Sequence, residues 1–539
     1  MTTKTSVISI RAWTVSVLSL LLGIFLYAAN SAAQPVKSNA HEDKTCTNGS
    51  ELEKILPADL QSVTTHKLQA GKIELDYQTT AGTLPVKLGK NGPECRIFFI
   101  GYHVLNKGQT PQPLTFVFNG GPGASSAYLH LGALGPKRVV LNKKESPPAS
   151  PPVAAQLIDN LETWLRFTDI VFVDPAGTGY SRCTQIEGKK EAKNGESRAW
   201  GVREDLASLA EFIRLYLTRN NRWLSPKFLV GESYGGFRAA ALSDLLLSRY
   251  DISVNGIVLV SPALEFELVE GNEFSLLPWV ARLPSYAATA RQHGKATGEA
   301  VNTPDKRKAL QDAEHFAVQE FLPALAGAES SGLLPNLAGF IGLPAERLAR
   351  LNARVTPDVF SKELLRDTGR VLSVLDGSFT TIDPDPASPF PPREDPMLAR
   401  LNPLLAAAFN SYIRQQLQFE TDIPYEILNS EAASRWNWRS GMQEAQGFVG
   451  VTQNLKNSMS INKQFKVLIA HGVFDLITPY FGSVLVTRQM SLDPAVAANL
   501  QIKVYDGGHM FYTSPESRKK FFEDAEYFFS TGDIAAKAQ

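Results

Sequence analysis

The chain has 539 residues, of which 44% are hydrophobic and 20% are charged, a balance typical of folded globular proteins. Its 54 Lys and Arg residues equal its 54 Asp and Glu residues, so the formal net charge is zero and no basic surplus indicates a nucleic-acid partner. The histidines show no metal-ligand spacing, and the pattern His-Glu-x-x-His is absent from the sequence. We therefore expect neither a metal nor a cofactor.

The first 33 residues have the layout of a secretory signal. Lys4 and Arg11 supply positive charge, residues 13–29 are apolar, and residues 31–33 form a small-residue cleavage site. The apolar stretch is near the lower length limit for crossing a bilayer, and no charged stop follows it, so cleavage is favoured over a membrane anchor. We expect a secreted or periplasmic mature protein without membrane attachment.

The chain contains three cysteines, Cys46, Cys95 and Cys183. An oxidising compartment would favour a disulfide, and the odd number would leave one cysteine unpaired. We predict a Cys46–Cys95 disulfide, because it would tie the N-terminal segment to the first strands. Three reduced thiols are the alternative, and neither arrangement makes a cysteine catalytic.

Residues 34–60 are polar, and residues 63–118 then alternate in short strand-like runs broken by Gly and Pro. Runs at 72–77, 95–101 and 114–118 have the length and spacing of hairpin strands. The sequence therefore predicts N-terminal antiparallel hairpins.

Further along the chain, the apolar runs become short and unbroken, which is typical of parallel strands buried on both faces. These runs are 169–173, 228–230, 256–260 and 467–470. An amphipathic stretch at 203–220 has helical spacing of its apolar residues. The alternation predicts an α/β fold with a mostly parallel central sheet.

The strand pattern fades between residues 265 and 458, where the chain is rich in Ala and Leu. We interpret 265–458 as a large, mainly helical insertion, or cap, over the sheet. Residues 34–264 would then form the first part of the core and residues 459–539 the second part. No internal repeat is visible, and the sequence carries no signal for an oligomeric state.

The sequence Gly231-Glu-Ser-Tyr-Gly-Gly236 lies between a strand-like run at 227–231 and a helix-like run at 237–249. Gly-x-Ser-x-Gly in a strand–turn–helix context is typical of a nucleophile elbow, which presents its serine at the top of a sheet. The turn is so tight that side chains at its glycine positions would collide with neighbouring backbone. Ser233 is therefore the candidate nucleophile.

A serine hydroxyl needs a base, usually a histidine oriented by a carboxylate, and in this strand–turn–helix context the order is Ser, acid, His. Asp475 follows the run ending at residue 470, and His509 follows a short run at 502–505. Both would lie beyond the carboxyl ends of strands, where sites in such sheets are found. His471 competes as the base, but His509 follows the acid in the required order and two glycines precede it.

The oxyanion of an acyl-transfer intermediate needs preorganised N–H donors. One donor would be the backbone N–H of Tyr234, which follows the nucleophile. The other should come from the loop 119–123, Asn-Gly-Gly-Pro-Gly, which follows the strand-like run 114–118.

Together these motifs resemble the serine carboxypeptidase family of α/β-hydrolases. The resemblance is carried by Asn-Gly-Gly-Pro-Gly-Ala-Ser-Ser at 119–126, the elbow at 231–236, Gly-x-x-Asp-x-x-x-Pro at 472–479 and Gly-His-Met at 508–510. A further segment, 174–181, is similar to a family motif but is one residue shorter. The resemblance implies an α/β-hydrolase fold and removal of one residue from the free C-terminus of a peptide substrate, often at acid pH.

The resemblance also implies roles for individual residues. Gly121 would be the second oxyanion donor, and Asn119 with Glu232 would bind the substrate carboxylate together with a second Glu. Paired acids share protons and can donate to an anion at acid pH. The position of the second Glu is occupied by Ala133, whose side chain cannot hydrogen-bond. We therefore expect either a looser preference for free C-termini or a blunted acid optimum.

Two other functions use the same residues differently. An esterase or an acyltransferase would share the triad and the covalent intermediate. These enzymes would differ from a peptidase in the group that leaves or in the molecule that attacks the intermediate. A non-catalytic binding protein could retain the fold, although the complete triad and both oxyanion positions argue against it.

Overall fold

The computed structural model describes residues 46–47, 53, 56–57, 59–70, 73–89, 92–105, 112–140, 155–184, 199–272, 274–299, 301–439 and 448–530. The predicted signal segment 1–33 lies outside the described residues. Within the described residues, no helix is long and apolar enough to cross a membrane.

The strands are β1 (Cys46–Thr47), β2 (Gln61–Ala70), β3 (Ile73–Lys87), β4 (Glu94–Val104), β5 (Leu114–Phe118), β6 (Lys137–Val139), β7 (Leu157–Asp159), β8 (Asp169–Val173), β9 (Arg182–Thr184), β10 (Lys227–Glu232), β11 (Gly256–Val260), β12 (Arg370–Leu372), β13 (Thr380–Ile382), β14 (Lys466–Gly472) and β15 (Leu500–Tyr505). An 11-stranded sheet has the order β1-β9-β4-β8-β5-β10-β11-β14-β15, and β2 and β3 extend it from β4. The pairs β6–β7 and β12–β13 form two small separate sheets.

The helices are α1 (Ala127–Leu129), α2 (Val202–Arg219), α3 (Tyr234–Tyr250), α4 (Phe266–Val269), α5 (Leu277–Gln292), α6 (Lys306–Phe316), α7 (Leu322–Leu325), α8 (Leu333–Ile341), α9 (Ala345–Arg350), α10 (Pro357–Glu363), α11 (Pro396–Gln415), α12 (Ser430–Ser434), α13 (Thr452–Ile461), α14 (Tyr480–Gln489), α15 (Pro494–Ala497) and α16 (Pro515–Ser530). Short π-helical turns at His130–Leu134 and Ala317–Phe321 and short 3₁₀ turns at Trp164–Arg166, Arg366–Thr368 and Phe511–Thr513 complete the helical elements.

The main sheet is antiparallel at its N-terminal edge and parallel in its centre. Strand β3 pairs antiparallel with both β2 and β4, which confirms the hairpins predicted for the runs 72–77 and 95–101. The hairpin prediction is wrong for the run 114–118, because this run forms β5, which pairs parallel with β8 and β10. Strands β8, β5, β10, β11, β14 and β15 pair parallel. The predicted α/β class with a mostly parallel central sheet is confirmed.

Both faces of the parallel region are covered, which explains its unbroken apolar sequence. Alternate residues of neighbouring strands enter different cores, because side chains of a strand point to opposite faces. One core contains Val117, Val230 and Val258, and the other contains Phe116 and Leu229. All of these residues are buried.

The segment 265–458 is mainly helical where it is described, and part of it shares a separate core with residues of α14. Val280, Phe316 and Phe360 are buried in this core, where they join Tyr480 and Phe481 of α14. The short antiparallel hairpin β12–β13 interrupts the helices, a detail that the sequence did not predict. Its strands have three residues each, too few for a recognisable alternation. The limits of the insertion stay a prediction.

The predicted Cys46–Cys95 disulfide is wrong, because the structure joins Cys95 to Cys183. The order of strands explains the difference. Strand β9 lies between β1 and β4, so Cys183 is opposite Cys95 on one side and opposite Cys46 on the other. The bond connects neighbouring strands that are 88 residues apart in the sequence.

The disulfide makes a testable prediction about stability. A Cys95→Ser variant should lose about 2–5 kcal/mol of unfolding free energy, because the bond closes a long loop in the unfolded chain. Denaturant unfolding would measure the loss, with Cys46→Ser as the matched control that should leave stability nearly unchanged. An equal loss in both variants would contradict the Cys95–Cys183 assignment.

Candidate active site

Ser233 occupies a strained turn between β10 and α3. Its backbone has φ +61° and ψ −124°, a conformation that residues other than glycine rarely adopt. A Cβ on Gly231 would lie 1.8 Å from the carbonyl oxygen of Gly235, so the predicted tight glycine turn is present. The Ser233 N–H donates to the carbonyl of Val260 at 2.9 Å, which fixes the turn to the end of β11. The Ser233 residue is half-buried.

Asp475 and His509 meet beyond the carboxyl ends of β14 and β15. The distance from His509 Nδ1 to Asp475 Oδ2 is 2.7 Å, and both residues are buried. Asp475 Oδ1 accepts hydrogen bonds from the backbone N–H groups of Ile477 and Thr478, each at 2.9 Å. Because an ionised carboxylate can only accept, this contact places the proton of neutral His509 on Nδ1. Nε2 is then left as the acceptor that a base requires.

The hydroxyl group of Thr478 also belongs to this cluster, although sequence reasoning did not identify it. Thr478 Oγ1 lies 2.7 Å from Asp475 Oδ2, 3.0 Å from His509 Nδ1 and 2.9 Å from the carbonyl oxygen of Ser261. The Ser261 hydroxyl donates to the carbonyl of His509 at 2.8 Å. Ser261 directly follows Val260, so adjacent residues at the end of β11 bind the serine loop and the histidine loop.

The charges around His509 set its protonation. Burial lowers the pKa of His509, but the Asp475 carboxylate outweighs burial, and the net shift is upward from 6.5. Burial lowers the pKa of the competing His471 to about 4, and its Nε2 lies 2.8 Å from the Ser483 hydroxyl. His471 is therefore neutral at pH 7 and engaged with Ser483, which favours a structural role for it.

The loop after β5 is fixed to the helix that follows Ser233. Arg238 of α3 donates to the carbonyl oxygens of Asn119 and Gly120, the latter at 3.3 Å. Arg238 is fully buried and pairs with Asp205 of α2 at 2.7 Å. Because a trans peptide points its C=O and N–H in opposite directions, the N–H of Gly121 points away from Arg238. Sequence reasoning missed this anchoring pair.

The two predicted oxyanion donors are backbone groups on these two segments. Tyr234 is the first residue of α3, where an N–H has no acceptor within its own helix. The positive end of the helix dipole at this position also favours a negative charge. Gly121 has φ +96°, which the lack of a side chain permits.

The structure also brings together the two predicted carboxylate-binding residues. The Glu232 carboxyl group is buried and hydrogen-bonds the Asn119 side chain. Asn119 Oδ1 accepts from the Leu129 N–H at 3.1 Å, which leaves its amide hydrogens to donate. Burial raises the pKa of Glu232 to about 7, against the opposing effects of His509 and of hydrogen bonds. Ala133, at the position of the expected second acid, is buried in the π-helical turn.

A loop of the segment 265–458 packs on the loops that carry Asp475 and His509. The His509 N–H donates to the carbonyl of Leu375 at 2.6 Å, and the Leu476 N–H donates to the carbonyl of Val374 at 3.1 Å. Asp395, at the start of α11, accepts from the Val374 N–H at 2.9 Å and so holds this loop. Within the described part of the chain, no group of three His, Cys, Asp or Glu residues is placed to bind a metal.

Comparison with known proteins gives a family match over part of the chain. Residues 74–266 match the family model described as serine carboxypeptidase. The resemblance to the serine carboxypeptidase family is confirmed. The matched segment includes the loop after β5 and the elbow with Ser233, whereas Asp475 and His509 lie beyond it.

Individual relatives match over limited lengths. Serine carboxypeptidase-like 9 of Arabidopsis thaliana is 28% identical over 225 residues, which are 38% of this chain and 47% of that protein. Pheromone-processing carboxypeptidase KEX1 of Candida tropicalis is 30% identical over 141 residues, which are 26% of this chain and 17% of that protein. The chain thus spans less than half the length of these serine carboxypeptidase relatives.

Comparison with solved structures supports the fold. The crystal structure of Kex1(Δ)p, a prohormone-processing carboxypeptidase from Saccharomyces cerevisiae, aligns with a TM-score of 0.52 at 15% identity. The alignment covers 86% of this chain and 91% of that structure. At this identity the likeness concerns the fold alone, and the predicted α/β-hydrolase fold is confirmed.

The contact between Asp475 and His509 can be tested through the reactivity of Ser233. An Asp475→Asn variant should react with a fluorophosphonate about 10³- to 10⁴-fold more slowly, because the histidine loses its orientation and tautomer. In the unsubstituted protein, the rate should rise as His509 loses its proton above pH 6.5, and removal of the Asp475 charge should move that rise to lower pH. Mass spectrometry of the labelled Ser233 peptide at pH 5–9 would give both results.

The matched control is Asp169→Asn, which changes a buried carboxylate at the start of β8, at the opposite end of the strands from the site, where it accepts from Arg222 at 2.7 Å. The rate at which this variant reacts with the fluorophosphonate should be within about tenfold of the rate of the unsubstituted protein. Equal losses in the two variants would contradict a specific role for Asp475.

Proposed function

We propose that the chain is a serine carboxypeptidase that hydrolyses peptide bonds at or near a free C-terminus. The observation that carries the proposal is the Asp475–His509 hydrogen bond, held by the same strand end that fixes the Ser233 turn. The names of the serine carboxypeptidase relatives agree with it. No observation of the described residues favours an esterase or an acyltransferase over a peptidase.

In the proposed reaction, the Ser233 hydroxyl oxygen attacks the scissile carbonyl carbon while His509 Nε2 takes its proton. Asp475 orients the ring and stabilises the imidazolium that forms. The N–H groups of Gly121 and Tyr234 bind the oxyanion of the tetrahedral intermediate. His509 then protonates the leaving amine as the C–N bond breaks, which leaves an acyl group on Ser233. Water, deprotonated by His509, hydrolyses the ester and restores the enzyme.

Recognition of the free C-terminus is assigned to Asn119 and Glu232. A neutral Glu232 donates a hydrogen bond to the substrate carboxylate, whereas an ionised Glu232 repels it. The raised pKa of Glu232, about 7, keeps the neutral form populated up to near neutral pH. We expect recognition to extend to higher pH than an ordinary glutamic acid would allow.

Export to the periplasm or the exterior is part of the proposal. The signal-like composition of residues 1–33 and the Cys95–Cys183 disulfide both fit an oxidising compartment.

Digestion of a peptide library, followed by mass spectrometry, tests the proposed reaction. We expect loss of single C-terminal residues from peptides with a free carboxylate and little cleavage of the same peptides as C-terminal amides. The Ser233→Ala variant should release no product above background. Cleavage of small esters alone would favour the esterase, and failure of a fluorophosphonate to label Ser233 would favour the non-catalytic binding protein.

The titration of Glu232 gives a separate prediction about pH. The preference for free acids over amides, measured as the ratio of KM values for one blocked dipeptide, should fall as the pH rises through about 7. Above that pH, the preference should fall by up to about tenfold per pH unit, since Glu232 loses one proton. The comparison with the amide removes the effect of His509, which acts on both substrates.

In a Glu232→Gln variant the preference should become independent of pH between 5 and 8.5, because the amide donates at every pH. A pH-dependent preference that persists unchanged in this variant would assign the titration to another group.

A further inference from the structure

We propose that Tyr512 takes the place of the missing second acid and acts as the specificity residue that orients Glu232 toward the substrate carboxylate. The inference rests on the proposed function and adds a residue that the sequence motifs did not indicate. It concerns a hydroxyl group where the family pattern implies a carboxyl group.

The first observation is the contact itself. The Tyr512 hydroxyl donates to Glu232 Oε2 at 2.5 Å, and both side chains are buried. Tyr512 lies in the 3₁₀ turn Phe511–Thr513, which begins two residues after His509. The loop that carries His509 therefore also supplies the hydrogen-bond partner of Glu232. This loop is far in sequence from Ala133, the position of the expected second acid.

The second observation is the space that the ring occupies. A Cβ on Gly132 would lie 2.8 Å from Tyr512 Cε2, closer than carbon atoms approach without displacement. Gly132 and Ala133 are adjacent in the π-helical turn His130–Leu134. The absence of a side chain at 132 makes room for the phenol ring next to the residue that replaces the acid.

A second buried tyrosine, Tyr128, makes its hydrogen bond to a residue other than Glu232. The charge of Glu232 adds to the effect of burial in raising the pKa of Tyr128, but the Tyr128 hydroxyl donates to Asn402 Oδ1 of α11 at 2.8 Å. Tyr512 is thus the phenol that directly contacts the carboxyl group of Glu232.

The chemistry of a phenol differs from that of a second acid. Burial, reinforced by the Glu232 charge, raises the pKa of Tyr512 well above its ordinary value, so the hydroxyl stays a donor at every working pH. While it donates to Oε2, the proton of neutral Glu232 belongs on Oε1, from which it can be donated to the substrate carboxylate. The carboxylate site then contains one titrating acid instead of a coupled pair.

Binding of a product-like ligand tests the role of Tyr512 without requiring turnover. In a Ser233→Ala background, calorimetry at pH 5–8.5 would compare N-acetyl-leucine with N-acetyl-leucinamide. For Tyr512→Phe we expect the acid to bind about three- to tenfold more weakly at pH 5, the effect of one lost hydrogen bond, and the amide to bind unchanged. The pH at which acid binding is lost should also rise, because the phenol stabilises the ionised form of Glu232.

Two further variants keep the test decisive. Tyr505→Phe is the matched control, since its buried ring stacks on Phe511 and its hydroxyl donates to Asp524. It should change neither the affinity nor the pH dependence. Gly132→Ala displaces the Tyr512 ring from a neighbouring element and should reproduce both effects of Tyr512→Phe, so the test stands even where that variant fails to fold.

Each outcome decides the inference. Unchanged binding in Tyr512→Phe and Gly132→Ala, or equal changes in Tyr505→Phe, would overturn the role of Tyr512. Equal binding of acid and amide to the Ser233→Ala protein would also overturn it, while fluorophosphonate labelling of Ser233 would still support the hydrolase. Failure of that labelling, with acid-selective binding retained, would overturn the proposed reaction and leave the role of Tyr512 intact.

Discussion

The site depends on two adjacent residues at the end of β11. The carbonyl of Val260 accepts from the N–H of Ser233, and the hydroxyl of Ser261 donates to the carbonyl of His509. The carbonyl of Ser261 also accepts from Thr478, which contacts Asp475. Because β11 lies between β10 and β14 in the sheet, its end reaches loops that are far apart in the sequence. The convergence of these loops is therefore a property of strand order.

A second constraint acts on the loop 119–123, which carries the proposed oxyanion donor Gly121. The buried pair of Arg238 and Asp205 joins α3 to α2, and the same guanidinium holds the carbonyls of Asn119 and Gly120. Breaking a buried ion pair by removing one partner costs about 3–5 kcal/mol, since the other charge stays buried. The orientation of the Gly121 N–H thus rests on an interaction that also stabilises the core.

Local patterns in the sequence predicted the features that local physics determines. The strands and the glycine turn around Ser233 could be inferred because each depends on neighbouring residues, and Asp475 and His509 were selected by the known order of acid and base after such a turn. The disulfide of Cys183 could not, since it requires knowledge that β9 lies beside β4. Arg238 and Tyr512 were missed for the same reason: their partners lie 119 and 280 residues away in sequence.

The loop that carries Leu375 gives the helical segment more than a covering role. The carbonyl of Leu375 accepts a hydrogen bond from the backbone N–H of His509. The carbonyl of the neighbouring Val374 accepts one from Leu476, in the loop of Asp475. The helices of the segment 265–458 can therefore be replaced, by evolution or by engineering, only if the carbonyl groups of Val374 and Leu375 keep their positions. Excision of the whole segment would therefore do more than expose the sheet, since it would leave the backbone of His509 without one of its supports.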